Sequence, residues 1–74
     1  MYYVYLIRNR ITEETYIGYT DDIKRRFGEH KKKNPELIYY EAYKSYEDAM
    51  ERERKLKQRG QTVRRLKERL RRSL

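Results

Sequence analysis

The feature that most constrains the fold is the run from Tyr2 to Ile7, in which every residue is aliphatic or aromatic. A strand of this composition needs cover on both of its faces, so we predict that it lies in the centre of a sheet. A polar stretch separates it from a second strand-like run at Tyr16–Tyr19, which predicts an antiparallel hairpin. Tyr5 and Tyr16 are 11 positions apart, so the hairpin could bring both side chains to one face.

Glycine placement refines this hairpin. Gly18 stands inside the second strand, where glycine marks a β-bulge or a close approach to the backbone. The connection at residues 8–15 has no glycine, so we expect a loop longer than a two-residue turn.

Helical and extended patterns alternate through the rest of the chain. Thr20-Asp21-Asp22 offers capping side chains and negative charge, which predicts a first helix that begins there and continues to about Lys32. Residues 37–43 form a third strand pattern, in which Leu37, Tyr39 and Tyr43 would share one side.

Two more helices complete the pattern. A capping-box-like start at Ser45 predicts a second helix, and Gly60 is the residue type at which helices commonly end. A third helix is expected from about Gln61 to Arg72. We therefore predict one domain, residues 1–74, with an α+β fold. Its small three-stranded antiparallel sheet would have the strand order second, first, third and be flanked by about three helices.

Composition limits the possible partners. The chain has 20 Lys and Arg against 12 Asp and Glu, a formal net charge of +8, which favours a polyanion such as DNA or RNA. It has no cysteine and one histidine, so it cannot build a thiolate or multi-histidine zinc site by itself. No apolar run is long enough for a membrane span or a signal peptide, and we expect a reducing cytoplasmic location. No protein partner can be inferred.

Glu53 is the residue of the second helix whose predicted position is energetically least favourable. The helical period places it near the middle of the apolar face, where a carboxylate costs free energy unless it is paired or holds a metal. Arg52, Arg54 and Lys57 are possible partners on the same helix, although Glu51 competes for them. Both interpretations, an ion pair and a metal anchor, stay open at this point.

The candidate site combines Glu53 with residues from the first three elements: Tyr5, Tyr16, Arg26 and His30. One carboxylate suffices to anchor Mg²⁺ (or Mn²⁺), which keeps several waters and takes phosphate oxygens as ligands. An arginine binds phosphate, and a tyrosine hydroxyl can orient or deprotonate water. Together they suit metal-assisted phosphodiester hydrolysis. Each residue also has an ordinary explanation, because charge runs are mostly solvated faces and a histidine on an apolar face is commonly a packing residue.

Basic residues on and after the first helix are the expected contacts to nucleic-acid phosphates. They are Lys24, Arg25, Lys31, Lys32 and Lys33.

Five segments, in order along the chain, resemble the GIY-YIG nuclease superfamily, and in particular its small stand-alone bacterial members. The matching segments are Tyr3–Tyr5, Tyr16–Gly18, Asp22–His30, Pro35–Tyr40 and Ala49–Lys57. The resemblance implies a three-stranded antiparallel sheet flanked by helices and cleavage of DNA with a divalent metal. It also implies that Arg26 is the catalytic arginine, His30 the helix histidine and Glu53 the metal ligand. Known members include homing, restriction and DNA-repair nucleases.

The chain departs from the family pattern in four places. Tyr3 stands where the first motif has glycine, the hairpin loop lacks its usual glycine, and the stretch from His30 to Pro35 is short. The asparagine that follows the glutamate helix in larger members has no evident counterpart. Two other interpretations therefore stand beside the endonuclease. One is a basic module that binds nucleic acid without cutting it, and the other is a minimal or designed scaffold on the same fold.

Overall fold

The computed structural model describes residues 1–58 and 60–74, and within them the chain forms three strands and three α-helices. In chain order these are β1 (Tyr2–Asn9), β2 (Thr15–Thr20), α1 (Ile23–Glu29), β3 (Pro35–Tyr43), α2 (Tyr46–Gln58) and α3 (Gly60–Arg69), with a 3₁₀ turn at Lys31–Lys33. The predicted α+β architecture is confirmed.

The sheet is antiparallel throughout, with the order β2-β1-β3, so the central position of β1 is confirmed. Val4, Leu6 and Ile7 are each at most 2% exposed. Since successive strand residues point to opposite faces, both faces of β1 are covered, as its composition predicted. Tyr5 lies opposite Gly18 on β2 and Tyr40 on β3.

The main core lies on the face of the sheet that α2 and α3 cover. Leu56 of α2 and Leu66 of α3 pack with Val4 and Ala49, and all four are buried. Tyr5 and Ile7 face the other way, towards α1, where they line a small space with Phe27. The sheet therefore separates residues of the candidate site that stand on α1 from those that stand on α2.

A β-bulge in β3 corrects one prediction. The register passes from Leu6 opposite Tyr39 to Ile7 opposite Leu37, which leaves Ile38 as the extra residue. Leu37 consequently faces α1 beside Tyr5, whereas Tyr39 packs in the core under α2. The prediction that Leu37 shares a side with Tyr39 was wrong because a strict two-residue alternation does not survive a bulge.

Three helix boundaries also differ from the predictions. α1 ends at Glu29 and not near Lys32, and Asn34 then adopts a left-handed conformation (φ 48°, ψ 58°) that leads the chain into β3. Gly60 is the first residue of α3 and not a helix end, although Arg59 lies outside the described residues. α3 ends at Arg69, where the Leu70 amide bonds to both the Leu66 and Lys67 carbonyls at 3.1 Å.

A partly buried ion pair ties α2 to β3. The Arg52 guanidinium donates to the Glu41 carboxylate at 2.9 Å from Nε and 3.0 Å from Nη2. Tyr39 and Tyr43 also donate to it. Burial alone would raise the pKa of Glu41, but the hydrogen bonds from Arg52 and the tyrosines outweigh it and lower that pKa. Arg52 therefore pairs with Glu41 of β3 and not with Glu53.

Candidate active site

Three of the five candidate residues form one hydrogen-bonded cluster between the sheet and α1. The Tyr5 hydroxyl lies 3.1 Å from His30 Nε2 and accepts a hydrogen bond from Arg26 Nε at 3.2 Å. Tyr5 is only 5% exposed, whereas the Arg26 guanidinium reaches the surface. The buried Tyr5 hydroxyl therefore holds the Arg26 guanidinium in place while that guanidinium stays exposed to solvent.

Local structure explains how α1 brings Arg26 and His30 to Tyr5. The Asp22 carboxylate accepts a hydrogen bond from the Arg25 amide at 3.0 Å and caps the start of the helix. Arg26 and His30 are four residues apart, about one turn, so both reach the same side of α1. The hydrogen bond to Tyr5, together with the nearby Glu29, raises the pKa of Arg26 and keeps it charged.

Gly18 makes room for Tyr5. A Cβ at this position would lie 2.3 Å from Tyr5 Oη and 2.6 Å from Tyr5 Cζ, closer than atoms can approach. No glycine in the described part of the chain has a positive φ, so space and not backbone freedom requires glycine here. Of the two predicted reasons for Gly18, the close approach is the one observed, since the bulge lies in β3.

Tyr16 lies on the same face of the sheet as Tyr5, two residues from Gly18 on β2, as the hairpin predicted. Its hydroxyl donates a hydrogen bond to Glu14 Oε2 at 2.8 Å. That hydrogen bond, followed by desolvation and the carboxylate charge, raises the pKa of Tyr16. A higher pKa opposes deprotonation, so Glu14 works against Tyr16 as a base in this arrangement.

Glu53 stands on the other side of the sheet, on the inner part of α2. Its side chain is 16% exposed, and Glu53 Oε2 lies 3.6 Å from Lys57 Nζ. Glu51 pairs with Lys55 at 3.2 Å, so it does not take Lys57 away. The structure thus contains the ion pair that was one of the two sequence interpretations, at a distance too long for a good hydrogen bond.

Arg26 and Glu53 line two surface depressions that share Tyr46. The first has a volume of about 370 Å³ and is lined by Arg26, Arg25 and three tyrosines. The second holds Glu53 and Lys57. Tyr19, on the edge strand β2, lies between them, with its hydroxyl 3.4 Å from that of Tyr46. The hydrogen bond to Tyr46 is the main cause that raises the pKa of Tyr19, and the Glu53 charge adds a smaller contribution. The two halves of the candidate site therefore meet around the β2 edge of the sheet.

Sequence reasoning missed three residues of this region. Tyr19 and Tyr46 stand between Arg26 and Glu53, and Glu14 holds the hydroxyl of Tyr16. The position of Tyr19, directly after the Tyr16–Gly18 motif, was an available signal. The other two were not evident, because an exposed tyrosine at a helix start and a loop glutamate are both ordinary surface residues.

The predicted nucleic-acid contacts have different surroundings. Lys24, Lys31 and Lys32 are exposed. Arg25 is also exposed, but its Nη2 lies 2.9 Å from an Asp21 carboxylate oxygen, which would compete with a phosphate. Nothing is described of the Lys33 side chain, so its predicted contact lies outside the described part.

The donor set for a metal is small. Within residues 1–58 and 60–74, no three His, Cys, Asp or Glu side chains come together as a metal-binding group. Glu53 is a partly buried carboxylate that lines a depression together with Tyr46. A single carboxylate suits Mg²⁺ or Mn²⁺ bound mainly through water and substrate phosphate, and it does not suit a cage built by the protein alone.

Among the described residues, no helix is both long and apolar enough to cross a bilayer.

Comparison with known proteins gives one match. The family model described as the GIY-YIG catalytic domain matches residues 1–68 of the 74-residue chain. No curated protein and no solved structure matches. The match includes all five candidate residues and extends through most of α3.

Proposed function

We propose that this chain, which belongs to the GIY-YIG family of nuclease domains, is a metal-dependent endonuclease that hydrolyses phosphodiester bonds in DNA. The observation that carries the proposal is the Tyr5–Arg26–His30 cluster. It holds the exposed Arg26 through a hydrogen bond to the buried Tyr5 hydroxyl, beside a depression of about 370 Å³. In hydrolysis, a water oxygen bonds to phosphorus, one P–O ester bond breaks, and the departing oxygen takes up a proton.

Arg26 is the proposed phosphate ligand. Its Nε is fixed by Tyr5, while its terminal N–H groups lie at the surface with Glu29 as a weak competitor at 3.4 Å. Guanidinium donors held in place before the reaction stabilise the negative charge that develops on the phosphate oxygens. Tyr5, being almost fully buried, acts by positioning Arg26, and His30 fixes the Tyr5 hydroxyl in turn.

Tyr16 is the proposed contact to the attacking water. In the observed arrangement its hydroxyl is neutral and bonded to Glu14, which suits orientation of a water better than removal of its proton. A Mg²⁺ or Mn²⁺ ion at Glu53 would supply Lewis-acid stabilisation of the phosphate and lower the pKa of a bound water. Lys57 would have to give up the Glu53 carboxylate for such an ion, which its exposed ammonium group can do at small cost.

The test is incubation of the protein with negatively supercoiled plasmid, which opens short unpaired segments, in the presence of Mg²⁺, Mn²⁺ or a chelator. We expect nicked circles with either metal and none with the chelator. Plasmid that stays supercoiled with both metals, at protein concentrations that shift it on a gel, would refute the endonuclease.

That result would instead support a second candidate, a basic module that binds nucleic acid without cutting it. The two contacts that favour this candidate are the Glu53–Lys57 ion pair and the Tyr16–Glu14 hydrogen bond. The first engages the carboxylate that a metal ion would need, and the second engages the hydroxyl that would contact the attacking water. Binding without cleavage, weakened steeply by salt, is its expected behaviour.

Lys31 and Lys32 are expected to contribute to duplex binding through phosphate contacts. In a Lys31→Gln/Lys32→Gln double variant, affinity should fall, and the slope of log K against log salt should become shallower by about 2. Titration of a labelled duplex at several salt concentrations measures both. Lys55→Gln is the control, because Lys55 already pairs with Glu51 and stands on another helix. An equal effect of Lys55→Gln would assign the change to net charge alone.

The pH dependence of nicking is expected to shift when Glu14 loses its charge. Because Glu14 raises the pKa of Tyr16 above 10.0, Glu14→Gln should lower that pKa and increase the deprotonated fraction at any pH below it. Because Tyr16 acts as a neutral hydroxyl in the proposed mechanism, activity is lost when it ionises, so the high-pH limb of the pH–rate profile should move to lower pH. Glu13→Gln, at the neighbouring loop residue, is the control. A low-pH limb that moves to lower pH would instead show that deprotonated Tyr16 takes the proton from water, and an unmoved profile would contradict a role for Tyr16 in this step.

A further inference from the structure

The aromatic cluster at the β2 edge lies beside both proposed reaction groups. Tyr46 contacts Tyr2 at a ring-centroid distance of 5.4 Å and Tyr19 at 5.9 Å, in both cases edge to face. The hydroxyls of Tyr19 and Tyr46 are 3.4 Å apart. Despite these contacts Tyr46 remains 43% exposed. Two tyrosines thus hold the ring of Tyr46 at the surface in a fixed orientation.

This ring lines the depression that contains Arg26, and it also lines the depression that contains Glu53. A phosphodiester that reaches from Arg26 towards a metal at Glu53 must pass Tyr19 and Tyr46. The nucleoside attached to that phosphate then lies against the tyrosines. Bases inside a duplex are stacked on each other and offer no free face, whereas an unpaired base does.

We propose that Tyr46, supported by Tyr2 and Tyr19, stacks an unpaired nucleobase next to the phosphate that is cleaved. This inference rests on the proposed function and gives its substrate class: DNA with a single-stranded nucleotide at the cleavage position, such as an overhang, flap or bubble. Stacking on an aromatic ring accepts any of the bases, so the selectivity is for strand structure and not for sequence.

Another depression, lined by Tyr40, shows why an exposed aromatic ring alone does not make a nucleotide site. Tyr40 is 54% exposed and packs edge to face on Tyr3 at 6.0 Å. It lines a space of about 360 Å³, nearly the size of the first, but with Asp21, Asp22 and one lysine. The first has Arg25 and Arg26 against Asp21 alone. Of these two depressions, the one that contains Arg26 and Tyr46 has the charge balance that accepts a phosphate beside the ring.

The experiment measures binding in the presence of chelator, so that cleavage plays no part. The probes are a short single-stranded oligonucleotide containing 2-aminopurine and a duplex of the same length. For the parent protein we expect quenching of 2-aminopurine fluorescence. Its affinity for the single strand should be about tenfold higher than that of Tyr46→Ala. Tyr46→Phe should keep both signals, because it retains the aromatic face.

The matched control is Tyr40→Ala, which removes an exposed ring from the depression with Asp21 and Asp22 and should change neither signal. If Tyr46→Ala does not fold, Tyr46→Leu fills the space against Tyr2 without an aromatic face, and it should lose the quenching. Unquenched 2-aminopurine in the parent complex would overturn the inference. So would an equal loss of single-strand and duplex binding in Tyr46→Ala, or an equal loss in Tyr40→Ala. Quenching without any nicking would instead refute the endonuclease and leave the base site standing.

Discussion

Glu53→Gln is expected to abolish plasmid nicking while nucleic-acid binding is retained or strengthened. The amide keeps the shape of the side chain but loses the charge that anchors a divalent ion, and it removes one negative charge that faces the phosphates. The loss of nicking should reach the limit of detection, since no three His, Cys, Asp or Glu side chains in the described part of the chain form a metal-binding group that could replace Glu53. Nicking and duplex titration on the same preparations give both quantities.

Stability should change little in this variant. The Lys57 contact at 3.6 Å is long, and its ammonium group is exposed, so losing it costs at most about 1 kcal/mol. Relief of a partly buried carboxylate acts in the opposite direction. A purely structural Glu53 predicts another pattern, in which the melting temperature falls and any cleavage falls only in proportion to the folded fraction.

Glu51→Gln is the matched control, on the same helix. Glu51 also pairs with a lysine, at 3.2 Å, and it lines the same depression, but its side chain is 54% exposed against 16% for Glu53. Nicking by Glu51→Gln should equal that of the parent. Nicking by Glu53→Gln at the parent rate would refute the metal-anchor role, even though membership in the family would stand.

The sequence could predict those parts of the fold that depend on local pattern. The apolar run of β1 demanded cover on two faces, and the structure places that strand in the centre. Helical spacing put Arg26 and His30 on one side of α1, and the hairpin put Tyr5 and Tyr16 on one face. In each case the relevant residues are close in sequence or paired through a single loop, so the period of the element fixes their positions.

The other parts depend on contacts between distant elements. The sequence offered three basic partners for Glu53. In the structure Glu53 pairs with Lys57, while Glu41 of β3 binds Arg52. The bulge at Ile38 turned Leu37 to the other face, and a two-residue period contains no sign of an inserted residue. That Tyr46 joins the two depressions follows from how α2 lies across the sheet, which residue patterns do not specify.

Gly18→Ala is expected to reduce nicking by about two orders of magnitude and to destabilise the protein by about 1–3 kcal/mol. The new methyl group would occupy space 2.3 Å from the Tyr5 hydroxyl, in the middle of β2, where the backbone is held by pairing with β1. Tyr5 must then move, and its hydrogen bonds to Arg26 and His30 break. Phosphate binding by Arg26 depends on its hydrogen bond to Tyr5, so nicking activity should fall by a larger factor than the stability of the fold.

Gly28→Ala separates this effect from the general effect of replacing glycine. Gly28 lies in α1, within the helix that carries Arg26, and a Cβ there meets no atom within 4 Å. Alanine in a helix is favoured over glycine by about 0.5–1 kcal/mol, so this variant should melt slightly higher and nick normally. Thermal melts and initial nicking rates of the two variants and the parent provide the comparison.

Combining Gly18→Ala with Tyr5→Phe shows whether the two residues act through the predicted collision. Phenylalanine removes the hydroxyl that lies 2.3 Å from the new methyl group, although the ring carbon at 2.6 Å remains. The stability loss of the double variant should therefore be smaller than the sum of the single losses, by at least about 0.5 kcal/mol. Additive losses would place the damage elsewhere in β2. A Gly18→Ala protein that nicks at the parent rate would show that Arg26 works without Tyr5 in its observed position.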